Sequence, residues 1–123
     1  MSELISEDIL KLKCEALGEN GLIVIKFTAD WCGPCKLIKD LCIQFDKNKP
    51  ASIQYYEINI DESIELYMKL KKMKMVNGIP VLLAYKGGIK EHWYIPDEFH
   101  IGSDKKGLLV FFDKCIKYAS QSY

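Results

Sequence analysis

Cys32 and Cys35 stand two residues apart in the run Trp31-Cys32-Gly33-Pro34-Cys35. Thiols at that spacing can close into a disulfide and reopen, because one turn of helix brings the second sulfur round to the first. The run follows an apolar, strand-like segment and precedes a helix-like one. A cysteine at such a junction sits at or near a helix N-cap, where unpaired backbone N–H groups and the helix dipole stabilise negative sulfur. Cys32 is therefore the expected nucleophile, and Cys35 the more sheltered resolving thiol. Pro34 suits a first helical turn, where its missing N–H costs nothing, and Gly33 lets another chain approach closely. A CxxC pair is also half of a zinc site, but that use needs a second ligand pair. His92 and His100, the only histidines, lack the spacing. No metal ligands and no cofactor are expected.

The elements that must hold these thiols are legible from the hydrophobic pattern. Residues 22–27 are β-branched and nearly continuously apolar, as in a strand covered on both faces. After the cysteines, Leu37, Ile38, Leu41, Cys42 and Phe45 recur at helical spacing until Asn48-Lys49-Pro50. Before the strand, Ser6 is a plausible N-cap for a helix through Leu17, and Leu4-Ile5 a short edge strand. Residues 52–60 read as another strand, with Asp61 capping a helix through Ile64, Leu66, Tyr67, Leu70 and Met73. Val81 to Tyr85 form a third strong strand, joined by a Gly87-Gly88 hairpin turn to a strand over 89–95. Residues 96–100 look like a loop. Ser103-Asp104 open a last helix with Leu108, Leu109, Phe111, Phe112, Cys115 and Ile116 inward. The order β-α-β-α-β-α-β-β-α predicts an α/β domain with helices on the faces of a mixed sheet.

Composition narrows the remaining classes. The 123 residues suffice for a single domain, 1–123, with its own core. Seventeen basic and seventeen acidic side chains cancel, so no bulk charge points to nucleic acid or a membrane surface. The apolar runs are too short to cross a bilayer, and the acidic start carries no export pattern, so a cytoplasmic, reducing compartment is expected. Five cysteines, an odd number with one close pair, do not make a secreted disulfide framework. Cys14, Cys42 and Cys115 fall in helix-like segments, where free cysteine serves as a small buried apolar residue.

Further landmarks carry a family resemblance. Gly78-Ile79-Pro80 stands directly before the Val81 strand, a position where proline removes no ladder donor. With Phe27, Ala29, Lys36, Asn59-Ile60-Asp61 and Gly87-Gly88, these residues make the chain resemble the thioredoxin family over nearly its whole length. The resemblance implies a thioredoxin fold of about five strands and about four helices. It implies a cis Pro80 facing the disulfide, with Trp31, Ile79 and Pro80 receiving an extended substrate segment and Gly102 nearby. Gly33-Pro34 between the cysteines is the pairing of the family's reducing members. The implied activity is that of a monomeric enzyme reducing protein disulfides, with no bound cofactor and a thioredoxin reductase or equivalent as electron donor. The rival reading is a partner-binding subunit in which redox turnover is secondary.

Three departures stand out. Lys26 interrupts an otherwise apolar strand where the family has a buried aspartate, and Glu57 stands where it usually has lysine. A swapped ion pair beneath the active site, supporting the cysteines, is one reading; a lysine snorkelling to solvent beside an exposed glutamate is the other. Thr28 replaces an aromatic neighbour of the disulfide. The stretch 93–101 is longer than the family pattern and is placed either at the edge of the substrate groove or as a plain surface loop.

Overall fold

A computed structural model describes residues 6–120. The Ser6 hydroxyl accepts the Ile9 N–H and starts α1 (Glu7–Ala16), which buries Leu10 and Cys14. Strand β1 (Leu22–Thr28) follows, then α2 (Gly33–Leu37), α3 (Lys39–Asn48), β2 (Ile53–Asn59) and α4 (Glu65–Lys72). Strands β3 (Val81–Lys86) and β4 (Glu98–Ile101) complete the sheet, and α5 (Lys105–Ala119), capped by Asp104, closes the fold. The spatial order is β2-β1-β3-β4, with β2 parallel to β1 and the other two pairings antiparallel.

This is the mixed α/β sheet the sequence predicts, with four strands among the described residues and five helical segments. The expected Leu4-Ile5 strand lies outside the described residues. The extra helical segment arises at Ile38, a fully buried residue whose φ of −108° and ψ of 2° break one helix into α2 and α3.

β1 is buried on both faces because alternate residues feed two cores. Ile23, Ile25 and Phe27 join Leu10, Leu66, Tyr67 and Leu70 on one side, with the Phe27 and Tyr67 rings edge to face at 5.2 Å. Leu22 and Val24 join Ile38, Phe45, Leu108 and Phe112 on the other, where Phe45 and Phe112 stack at 4.1 Å. Lys26 takes the next inward position on that second face, opposite Leu82.

Four local expectations are corrected. Asp61 does not cap α4, whose N-cap is Ile64 without a side-chain bond; its carboxylate is engaged elsewhere. Residues 89–95 are not a strand. Gly87 presses on Leu17, and the Gly88 N–H donates to the Cys14 carbonyl at 3.0 Å, so the glycines dock on the end of α1 rather than reversing β3. Residues 96–100, expected as a loop, hold most of β4 instead. Pairing resumes there because the Asp97 N–H donates to the Ala84 carbonyl while its carboxylate accepts from the Lys86 N–H and the Lys90 ammonium. In α5, Leu109 and Ile116 face solvent, and the inward row is Leu108, Phe111, Phe112, Cys115 and Ala119.

Candidate active site

Strands β1 and β2 end together, and the chain leaving β1 delivers Cys32 to the N-cap of α2. The Cys32 backbone is extended, and its Sγ accepts the Cys35 N–H at 3.1 Å. Pro34 lies in the first turn, where it wastes no donor. Cys32 and Cys35 form a disulfide with their Cα atoms 5.3 Å apart. Each cysteine is 3% exposed, so in this oxidised state Cys35 is no more sheltered than Cys32. The asymmetry between them is in hydrogen bonding: only Cys32 sulfur sits at the cap, facing an N–H that would stabilise its thiolate. Gly33 between them is exposed, with open space where a Cβ would lie.

Around this pair the fold gathers residues from three distant places. Ile79 and Ile60 pack against Ala29 and the two cysteines. The Ile79–Pro80 peptide bond is cis. Gly78, at φ +123°, is in a region that suits glycine, and its N–H donates to the Tyr67 hydroxyl at 2.8 Å. The Gly102 N–H donates to the Pro80 carbonyl at 2.9 Å, which brings the end of β4 to the same place. Trp31 is 67% exposed beside the disulfide loop.

Asn59 and Asp61, marked in the sequence only as family landmarks and Asp61 as a helix cap, take a different part in the site. The Trp31 indole N–H donates to Asp61 at 2.8 Å, the Asp61 N–H donates to the Asn59 side-chain oxygen, and the Asn59 amide donates to Asp30. This chain of bonds ties the exposed indole to the ends of β1 and β2. The Asn-x-Asp spacing of Asn59 and Asp61, which favours an Asx turn, was the available signal.

Lys26 and Glu57 face each other across the parallel β1/β2 register, and the Lys26 ammonium lies 3.1 Å from the Glu57 carboxylate. Lys26 does not snorkel: its side chain is 2% exposed, whereas that of Glu57 is 40% exposed. Lys26, Thr28, Cys35 and Glu57 line a common surface depression. The Cys42 thiol lies behind it; burial pushes its pKa up, and nearby Lys26 pulls it back down. Cys14 and Cys115, also buried and free, are raised by burial, Cys115 to about 12.

Of the stretch 93–101, residues 98–101 form β4, whose end returns to the site at Gly102, while residues 93–97 lie away from the cysteines. Residues 87–97 lie beyond the C-terminal end of β3, which is antiparallel to β1, and so at the opposite edge of the sheet from the cysteines. There Trp93 packs on the core beneath the Lys11 ammonium, 5.3 Å from its ring, and Tyr85 donates to the Tyr94 carbonyl.

A disulfide at a helix N-cap, laid against a residue–cis-proline pair in a four-stranded mixed sheet, defines a protein of the thioredoxin-fold class. The thioredoxin family model matches residues 10–111, and the chain belongs to the thioredoxin family. Among curated relatives, it is 28% identical to thioredoxin of Rickettsia typhi over 87% of this chain and 93% of that protein. It is 33% identical to Thioredoxin-1 of Saccharomyces cerevisiae over 59% of this chain, a match that spans 66% of the yeast protein's length. With Thioredoxin-2 of the same yeast the span is 60%. The solved Fasciola hepatica thioredoxin superposes with a TM-score of 0.69 at 21% identity, covering 93% of this chain and 98% of that one, and so shares the fold.

Proposed function

We propose that this chain is a thiol–disulfide oxidoreductase that reduces protein disulfides, and that residues 1–123 act as one domain and one copy. The observation that carries the reading is the Cys32–Cys35 disulfide with the Cys32 sulfur on the Cys35 N–H, beneath exposed Trp31. In the reduced protein, Cys32 thiolate attacks one sulfur of a substrate disulfide. The substrate S–S bond breaks, one substrate thiolate leaves and takes up a proton, and a mixed disulfide forms. Cys35 then loses its proton and attacks the Cys32 sulfur, and the second substrate thiol departs with the electron pair. Two electrons pass to the substrate, and the 32–35 disulfide remains. A thioredoxin reductase or an equivalent electron donor returns two electrons to that disulfide and regenerates the Cys32/Cys35 dithiol.

Trp31, Ile79, Pro80 and Gly102 make the surface against which we dock an extended substrate segment, and Gly33-Pro34 shape the loop that presents Cys32. Lys26 and Glu57 support the cysteines from below. The site is complete within one copy, which supports a monomer. Three buried and unpaired thiols suit a reducing, cytoplasmic compartment. Among the described residues no helix is long and apolar enough to cross a membrane.

Insulin reduction driven by dithiothreitol tests the reading. The intact chain should precipitate the insulin B chain well ahead of dithiothreitol alone. Cys32→Ser should lose this entirely, while Cys35→Ser should accumulate a mixed disulfide with the substrate. An intact chain no faster than dithiothreitol would favour a partner-binding subunit instead.

A further inference from the structure

Lys26 is an ammonium in a strand whose other inward residues are all apolar. Burying that charge without a partner costs several kcal/mol, so it requires a counter-charge at close range. Glu57 supplies one, but from a side chain that keeps much of its contact with solvent. Stability alone gives no reason for the arrangement, since apolar residues replacing a buried ion pair commonly fold as well or better. The asymmetry has a consequence, however. The cation is desolvated and its field persists over several ångströms, whereas the carboxylate's is damped by water.

Cys35 is the thiol that shares the depression with this pair, and the other charged groups lining it are Asp30, Lys36 and Lys39. On the inner side, Cys42 lies against Lys26 and Tyr55. From β3 the residue facing Lys26 is apolar Leu82. Lys36, Lys39 and Asp30 are exposed, so their fields are screened by solvent, whereas that of buried Lys26 is not. Burial raises the Cys42 thiol above its ordinary range, and Lys26 is the foremost charge opposing that rise.

We propose that Lys26 is a positioning residue for the resolving step: its buried ammonium, anchored by Glu57, stabilises the Cys35 thiolate as it forms. The inference rests on the dithiol reading above. In that step the Cys35 proton leaves to solvent through the open side of the depression. The Cys35 electron pair forms the bond to Cys32, and the bond from Cys32 to the substrate breaks onto the substrate sulfur, which takes up a proton. Lys26 keeps its own proton throughout.

The test is a thiolate titration by ultraviolet absorbance in a Cys32→Ser background, with Cys32→Ser/Cys35→Ser subtracted. The other three thiols are raised by burial and cancel in the difference. Lys26→Met, similar in length and apolar, should raise the Cys35 midpoint by about one pH unit or more. Glu57→Gln, which keeps the ammonium and alters no core packing, should lower it. A folded Lys26→Met protein with an unmoved or lowered midpoint overturns the proposal, and so does a Glu57→Gln midpoint that stays or rises. The titration needs no turnover. An inert intact chain in the insulin assay therefore counts against the reductase reading, and an unmoved midpoint against Lys26.

Discussion

Strand β3 leads into irregular chain at both ends, and the two ends have opposite fates. Before it, Gly78-Ile79-Pro80 lies against the disulfide, with Gly102 hydrogen-bonded to Pro80. After it, residues 87–97 run away from the disulfide and bind the end of α1 through Gly88 and the sheet through Asp97. Both stretches contain glycine and proline beside apolar residues, and both could be read as substrate-facing. Direction separates them. Because β3 runs antiparallel to β1, only its first residue arrives where β1 and β2 deliver their ends. A loop's composition says that it is a loop; the direction of the strand it leaves says whether it reaches the site.

The difference can be broken or sharpened by experiment. The largest effect is expected in alkali, where the ends should stop behaving differently, since each rests near a buried thiol: Cys14 at the far end and Cys42 behind the site. Burial raises both, and raises Cys115 to about 12 from 9.0. The unfolded chain sheds those protons first, so their contribution to stability is whole below pH 9 and declines above it, that of Cys115 being lost as pH climbs toward 12. At pH 11 Cys115 alone should cost about 3 kcal/mol. Trp31 and Trp93 are the only tryptophans and report on opposite ends. In each of the Trp31→Phe and Trp93→Phe proteins, unfolding at pH 8 and at pH 11 followed by the remaining tryptophan should coincide with unfolding followed by far-ultraviolet circular dichroism. Separate transitions would mean that the ends are not one cooperative unit.

A smaller effect should isolate the far end. Trp93→Ala removes a half-buried ring and its Lys11 contact, so denaturant titration should show a loss of about 2 kcal/mol. Insulin reduction well below the melting temperature should not change. A fall in activity would bring this loop back into the site.

The smallest effect is expected at the near end. Asp61→Ala frees the Trp31 indole, and the KM for insulin should rise by about two- to five-fold, the worth of one modest hydrogen bond. Because the pair is exposed, stability should hold. An unchanged KM would remove Trp31 from the substrate surface.

The sequence revealed the site better than it revealed the sheet. Ile79, Pro80 and Gly102 were marked only by the resemblance to the thioredoxin family, whereas the cysteines and Pro34 carry a strong local signature, because an N-cap and a helical first turn demand particular residue types. β1 was legible for the same reason, since burial on both faces leaves an unbroken apolar run. The misread elements are those decided by partners far along the chain. Gly87-Gly88 has the composition of a hairpin, but Leu17 and the Cys14 carbonyl claim those glycines. β4 is short, at an edge, and alternates weakly, so its existence depends on Asp97 setting the register with β3. Asp61 looks like a helix cap because it precedes a helical pattern, yet the Trp31 indole competes successfully for its carboxylate.

The Lys26–Glu57 contact bears finally on how two parallel strands find their alignment. Ile23-Val24-Ile25 and Tyr55-Tyr56 offer similar apolar surfaces in several positions. Sliding β2 by one residue would set Tyr56 or Ile58 opposite Lys26, strand the ammonium in the interior and turn every β2 side chain to the wrong face. Such misaligned pairings are disfavoured relative to the native register by the cost of that charge. One ion pair thus proofreads the register of strands that hydrophobicity alone would leave free to slide.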